Sequence, residues 1–242
     1  MSFKKDSVSF VFPVYNEGNL IERTLLSYYK EFNGKLDFEI IVAEDGSTDS
    51  TKSVLAVLGK TISAKVFSSC ERKGYLRAIK EVLCEADGEW IFLVDSDNQF
   101  DPKDFWKLWA YREEYDIVLG RKIRRKDGLL RSFLSIGYNF LIRSFLKVSF
   151  RDVDTGFRLI RKVCLSNHSY KVKHLQFFTA EFVVRAFLGG AKVMEVPVQH
   201  FSRENGRTNI FYLRKLPGII FVELLGIVRL ARELGTIKHL GG

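Results

Sequence analysis

Asp95-Ser96-Asp97-Asn98-Gln99 follow the apolar run Trp90-Ile91-Phe92-Leu93-Val94 without a break. A run of that kind, bounded by polar residues, reads as a buried strand. Two carboxylates and an amide oxygen therefore leave the strand together at its carboxyl end. Alternate hard oxygen donors with room for water and phosphate suit Mg²⁺ or Mn²⁺, which take one or two protein carboxylates and complete their shell from substrate. A turn after a strand, where Asp and Asn bond locally to the backbone, accounts for the same residues. The pentapeptide alone leaves both readings open.

Stepping outward, residues 8–12 read as a first strand stopped by Pro13, and Asn16 is placed to cap a helix through Leu20, Ile21, Thr24, Leu25 and Tyr28. Residues 38–43 read as a second strand, followed by the polar turn 44–49 and a helix near 50–58. A weaker third strand at 64–67 and a helix at 74–86 precede the run at 90–94. Asp101-Pro102 is an N-cap with proline at the first helical position, predicting a helix to Tyr115, and residues 117–120 close the series as a further strand. Strands alternating with helices imply an α/β fold with a mostly parallel sheet, in which ligands sit beyond the carboxyl ends of the strands. The polar clusters 13–17, 44–49 and 95–99 each follow a predicted strand, so they share one rim. That convergence favours the metal reading over three independent turns.

The 46 % hydrophobic content of 242 residues allows one large core with a C-terminal extension. Neither G-x-G-x-x-G after the first strand nor G-x-x-x-x-G-K-[ST] is present, which excludes the usual dinucleotide and P-loop cradles. Cys70, Cys84 and Cys164 are widely spaced and read as reduced, buried thiols, and His168, His174, His200 and His239 show no metal-ligand spacing. No apolar leader precedes the first strand, so none is expected. Charge is divided unevenly: residues 1–100 carry 12 Lys/Arg against 16 Asp/Glu, while 101–242 carry 26 against 13. The second half therefore faces something anionic, whether nucleic acid, lipid headgroups or a phosphorylated acceptor.

Val11-Phe12-Pro13-Val14-Tyr15-Asn16-Glu17, Glu44-Asp45-Gly46-Ser47-Thr48-Asp49 and Asp95-Ser96-Asp97-Asn98-Gln99 resemble, in order, the signatures of family 2 glycosyltransferases. These are inverting nucleotide-sugar transferases of the GT-A type. Asp154-Thr155-Gly156-Phe157-Arg158 and Glu195-Val196-Pro197-Val198, then Arg203, Gly206 and Arg207, are similar to the polyprenyl-phosphate branch, with dolichyl-phosphate mannose synthases the nearest group. The resemblance implies that Asp95, Asp97 and Gln99 ligate the divalent metal, while Pro13, Tyr15, Glu17, Asp45 and Ser96 line the nucleotide. It also implies that Arg121, Arg131 and Ser135 grip a lipid phosphate and that Arg203 reaches the diphosphate. Asp95, Asp97, Arg121 and Arg131 are the expected catalytic set. The implied donor is GDP-mannose or UDP-glucose, and the implied acceptor is a polyprenyl or dolichyl phosphate serving protein glycosylation.

A phosphate acceptor is largely ionised at neutral pH, its second pKa being ~6, so no general base is needed. The basic stretch Arg121, Lys122, Arg124, Arg125, Lys126 and Arg131 runs into a segment, about 128–148, where Leu130, Phe133, Leu134, Tyr138, Leu141 and Phe145 recur at helical spacing. Basic amphipathic helices lie on membrane surfaces, which predicts interfacial docking through that apolar stripe. The apolar segment 216–230 is interrupted by Glu223 and Arg229 and falls short of the ~20 residues a span needs. The expected organisation is a GT-A domain over 1–210 and a helical extension over 211–242, peripheral on the cytoplasmic face of a membrane. Asp154 has a turn reading beside an acceptor-side one, and Glu181 a helix-capping reading beside an active-site one. Arg72 and Lys73, in the loop before Gly74, have a nucleotide-side reading beside that of two solvated charges. The alternatives are transfer to a soluble saccharide or protein hydroxyl, with Asp154 as base, and a basic nucleic-acid-binding module, which the clustered carboxylates oppose.

Overall fold

The computed structural model describes residues 5–123, 129–168, 172, 178–202 and 216–236. Seven strands form one sheet: β1 Val8–Val14, β2 Phe38–Glu44, β3 Lys65–Ser68, β4 Trp90–Val94, β5 Ile117–Ile123, β6 Phe157–Arg161 and β7 Val193–Gln199, in the order β3-β2-β1-β4-β6-β5-β7. β1 pairs in parallel with β2 and β4, β2 with β3, and β5 with β7, whereas β6 runs antiparallel between β4 and β5. Because β6 is reversed against both neighbours, β5 points the same way as β4. The carboxyl ends of β1, β2, β4, β5 and β7 therefore open on a single rim.

Eight helices are described: α1 Ile21–Phe32, α2 Thr51–Thr61, α3 Tyr75–Leu83, α4 Phe105–Trp109, α5 Leu129–Leu146, α6 Lys162–His168, α7 Phe178–Leu188 and α8 Leu216–Glu233. Alternate strand residues face opposite sides, and the two sides build separate cores. Ile91 and Leu93 of β4 join Ala78, Ile79, Ile142, Phe182 and Leu230 beneath α3, α5, α7 and α8. Trp90, Phe92 and Val94 join Phe10, Phe12, Tyr28, Phe32 and Phe105 beneath α1 and α4. Both faces of the sheet are covered, which is why the central strands are continuously apolar.

Several expectations are corrected. β1 does not stop at Pro13: its ladder with β4 ends at Val11 opposite Leu93, so the proline lies where β1 has outrun that neighbour and no strand needs its missing N–H. The Pro13 carbonyl accepts instead from the Ser96 hydroxyl at 2.8 Å. Asp101 caps as expected, taking Lys103 N–H at 2.9 Å, but the turn is 3₁₀ over Pro102–Asp104 and α4 ends at Trp109. Cys164 is buried, whereas Cys70 and Cys84 are exposed. Among the described residues no helix is long and apolar enough to cross a membrane.

Candidate active site

Adjacent parallel strands β2, β1 and β4 deliver the three polar clusters side by side, and the clusters are laced together. Asn16 N–H donates to Ser47 Oγ at 3.0 Å and Thr48 N–H returns to Asn16 Oδ1 at 2.8 Å. Glu17 N–H reaches Thr51 Oγ1 at 2.9 Å, and Gly18 N–H reaches Asp49 Oδ2 at 3.1 Å. Asn16 thus bridges two loops at φ +54° and does not cap α1, whose N-cap position is Leu20 without a side-chain bond. Asp49 also accepts from Thr51 N–H at 2.9 Å and from its hydroxyl. Burial opposes its ionisation, but these bonds outweigh it and hold the carboxyl below its ordinary range.

Asp45, only 4 % exposed, is aimed at the loop after β3. Its carboxylate accepts Lys73 N–H at 2.7 Å and Gly74 N–H at 2.9 Å. This fixes Gly74 at φ +93°, a conformation that favours glycine, immediately before α3 begins at Tyr75. The Arg72 guanidinium from the same loop lies 4.0 Å from the Tyr15 ring centre. Lys73 pairs with Glu81 at 2.7 Å. Lys73 thus sits in an exposed ion pair, whereas Arg72 lies over the aromatic wall of the candidate nucleotide site, a cation–π contact with no local sequence signature.

Asp95 and Asp97 are partly exposed, while Ser96 and Gln99 are buried. Gln99 donates its amide N–H to the Phe201 carbonyl at 2.8 Å, and Phe201 N–H donates to the Gln99 carbonyl at 2.8 Å. Its Oε1 remains an acceptor, and the residue also ties β4 to the segment leading to position 203. Among the described residues no group of three or more His, Cys, Asp or Glu side chains forms a metal cluster. Two carboxylates and one amide oxygen nonetheless fit a hard cation that draws its remaining ligands from water and phosphate.

Arg121 and Lys122 stand at the carboxyl end of β5 on the same rim, with β6 alone between β5 and β4. At ~4.8 Å per strand step, the basic and acidic ends lie roughly 10 Å apart along the rim. The loop before β6 is strapped down here: Thr155 Oγ1 donates to the Gly120 carbonyl at 2.6 Å, Asp152 takes Lys122 N–H at 3.2 Å, and Glu195 takes Asp152 N–H at 2.8 Å. Arg131 and Ser135 fall on α5, but their side chains, like the whole of Arg203, lie outside the described residues.

Glu181 is fully buried and accepts from Arg185 Nε at 2.8 Å within α7, while Arg185 Nη1 reaches Glu233 at 2.9 Å, so Arg185 joins α7 to α8. Of the expected stripe on α5, Tyr138, Leu141 and Phe145 pack partly buried against the core, while the side chains of Leu130, Phe133 and Leu134 lie outside the described residues; among the described side chains of that helix, Ile136 and Phe140 are exposed at 64 % and 58 %.

The glycosyl transferase family 2 pattern matches residues 9–168, and the chain belongs to that family. It is 28 % identical over 214 residues to undecaprenyl-phosphate 4-deoxy-4-formamido-L-arabinose transferase of Enterobacter sp. (strain 638), covering 86 % of this chain and 63 % of the relative. It is also 28 % identical over 247 residues to dodecaprenyl-phosphate galacturonate synthase of Rhizobium johnstonii (strain DSM 114642 / LMG 32736 / 3841), covering 97 % and 70 %. The chain spans between 49 % and 70 % of the length of the curated relatives it matches. Glucosyl-3-phosphoglycerate synthase from Mycobacterium tuberculosis, solved with Mn²⁺, UDP and phosphoglyceric acid, superposes with TM-score 0.70 at 18 % identity, over 94 % of this chain and 79 % of that one. Mannosyltransferase PcManGT from Pyrobaculum calidifontis, solved with GDP-Man and Mn²⁺, gives 0.61 at 18 %, over 94 % and 73 %. The shared architecture is the GT-A fold.

Proposed function

We propose that this chain transfers a hexose, mannose or glucose, from a nucleoside diphosphate sugar to a polyprenyl phosphate, in the manner of dolichyl-phosphate mannose synthases, with inversion. The observation that carries this is the division of one rim. Acidic loops from β1, β2 and β4 occupy one end and Arg121 of β5 the other, about two strand spacings away, with the neighbouring Lys122 ion-paired to Asp152 at 3.9 Å. Relatives named for undecaprenyl- and dodecaprenyl-phosphate substrates support a lipid phosphate as acceptor.

Each reactant is anionic, so the protein's task is to bring two repelling groups together and hold them aligned. Pro13, Tyr15, Glu17, Asp45, Ser96 and Arg72 line the donor end, and Arg203 supplies positive charge toward the diphosphate. A divalent cation, Mg²⁺ or Mn²⁺, held by Asp95 and Asp97 beside Gln99 Oε1, would supply Lewis-acid stabilisation of the leaving group. Arg121, Arg131 and Ser135 bind and orient the acceptor phosphate, the guanidinium fork matching its oxygens in pairs. Glu181 stays in its ion pair and takes no part in proton transfer, consistent with an acceptor that arrives ionised.

The 211–242 extension acts with α5 as the membrane-facing part of a peripheral protein on the cytoplasmic face. α8 rests on α5 through buried Ile227, Leu230 and Ala231, while Ile220, Phe221 and Leu225 are exposed, Phe221 at 63 %. Incubation of the protein with labelled GDP-mannose or UDP-glucose, a polyprenyl phosphate and Mn²⁺ should move label into the organic phase. Label that enters only water-soluble saccharide would refute the lipid acceptor.

A further inference from the structure

β5 outruns its neighbour β6. The ladder between them ends at Leu119 opposite Arg158, yet β5 continues to Ile123. Past that point the backbone groups on the β6 edge have lost their strand, and buried ones must find other partners. Two side chains supply them: Thr155 Oγ1 donates to the Gly120 carbonyl at 2.6 Å, and Asp152 Oδ2 accepts Lys122 N–H at 3.2 Å. These two groups stand on either side of Arg121. Side chains therefore replace the missing strand at the place where the rim arginine stands.

The turn that carries Asp152 and Thr155 is itself seated. It is closed by Thr155 N–H on the Asp152 carbonyl at 3.3 Å. Glu195 Oε1, from β7, accepts both Arg151 N–H and Asp152 N–H at 2.8 Å, and Asn139 Oδ1, from α5, accepts Val153 N–H at 3.2 Å. Three consecutive N–H groups are thus held by side chains of other elements. Thr155 and Asp152 are 0 % and 2 % exposed, so water competes little for their bonds. By strand alternation Arg121 lies on the face of Ile117 and Leu119, the side of the sheet that α5 covers. Its own side chain is only partly buried.

We propose that Thr155, Asp152 and Glu195 are positioning residues for the acceptor phosphate. Thr155 and Asp152 hold the peptide groups flanking Arg121 and so fix its backbone on the rim, while Glu195 seats the turn that bears them. Asn139 ties the same turn to α5, the helix on which Arg131 and Ser135 fall, and this sets β5 and α5 in register. A cation whose backbone is already fixed loses less freedom when it grips a phosphate. The segments 154–158 and 195–198 thereby share one task. This role rests on the assignment of Arg121 to the acceptor side.

The test titrates farnesyl phosphate, and separately UDP with Mn²⁺, into the unchanged protein and its variants by isothermal titration calorimetry, with circular dichroism melting alongside. Arg121→Ala should weaken farnesyl phosphate binding roughly 10- to 100-fold. Thr155→Val should weaken it roughly 3- to 10-fold, as loss of one neutral hydrogen bond does, and leave UDP binding unchanged. Thr155→Ser keeps the hydroxyl and should restore the original affinity. Glu195→Leu should weaken binding at least as much as Thr155→Val; if either variant fails to fold, the other decides. Combined with Arg121→Ala, each should weaken binding no further, because it acts through that guanidinium. Unchanged farnesyl phosphate affinity in the folded variant, or an equal loss with and without Arg121, would overturn the positioning role. Farnesyl phosphate binding that is absent from the unchanged protein, or the same in Arg121→Ala, would instead overturn the acceptor assignment beneath it.

Discussion

Asp45→Asn separates a residue that contacts substrate from one that builds the site. The carboxylate takes Lys73 N–H at 2.7 Å and Gly74 N–H at 2.9 Å, and at 4 % exposure it is little screened by water. An amide keeps one acceptor oxygen but turns an NH₂ toward the other N–H, so one charge-assisted bond is lost. Such bonds contribute about 1.5–3 kcal/mol. For a chain of this size, 1 kcal/mol moves the melting temperature by ~2–4 °C, so a fall of roughly 3–12 °C is expected. Differential scanning calorimetry measures it directly. Nucleotide affinity, read by isothermal titration with UDP and GDP, should fall as well, because the loop carries Arg72 onto Tyr15. Lost nucleotide affinity with an unchanged melting temperature would refute the clamp and leave Asp45 as a base contact only.

Phe140→Ser with Phe221→Ser removes two apolar side chains exposed at 58 % and 63 % on α5 and α8. Each contributes ~1.5–3 kcal/mol if buried in lipid, so sedimentation with anionic vesicles should weaken by about a hundredfold or more, without loss of fold; unchanged binding would contradict interfacial docking. Arg185→Met strands buried Glu181 and should cost about 3–5 kcal/mol in chemical denaturation, whereas Glu181→Leu with Arg185→Met should recover most of it. Asp49 has a depressed folded-state pKa. Its stabilisation is complete above the unfolded value of ~3.9 and vanishes as pH falls through the lower folded value. Asp49→Asn should therefore flatten the acid limb of the stability profile, and an identical limb would show that the bonds to Thr51 and Gly18 carry no weight.

The parallel half of the sheet was legible because a doubly covered strand must be apolar along its length, as residues 90–94 are, and because polar residues must follow it where the chain exits. β6 was not legible as a strand: in Phe157–Arg161 a buried arginine interrupts the apolar pattern, and its reversed direction has no local signal. Helical spacing found α5, but Tyr138, Leu141 and Phe145 of its stripe turn toward the core, since a helix with apolar residues on most of its faces satisfies several orientations and tertiary packing selects one. Among site residues, the carboxylates announced themselves by spacing. Arg72 acts through a contact with Tyr15, 57 positions away, which only the folded rim brings together.

The proposed transfer requires one rim to hold donor and acceptor phosphates at opposite ends by opposite means. Steady-state kinetics of Arg121→Ala, with donor and polyprenyl phosphate varied separately, tests it most directly. Loss of one guanidinium should raise KM for the lipid phosphate roughly 10- to 100-fold, at ~1.5–3 kcal/mol for a charged hydrogen bond, and leave KM for the nucleotide sugar unchanged. A raised donor KM with the acceptor KM untouched would contradict the division of the rim.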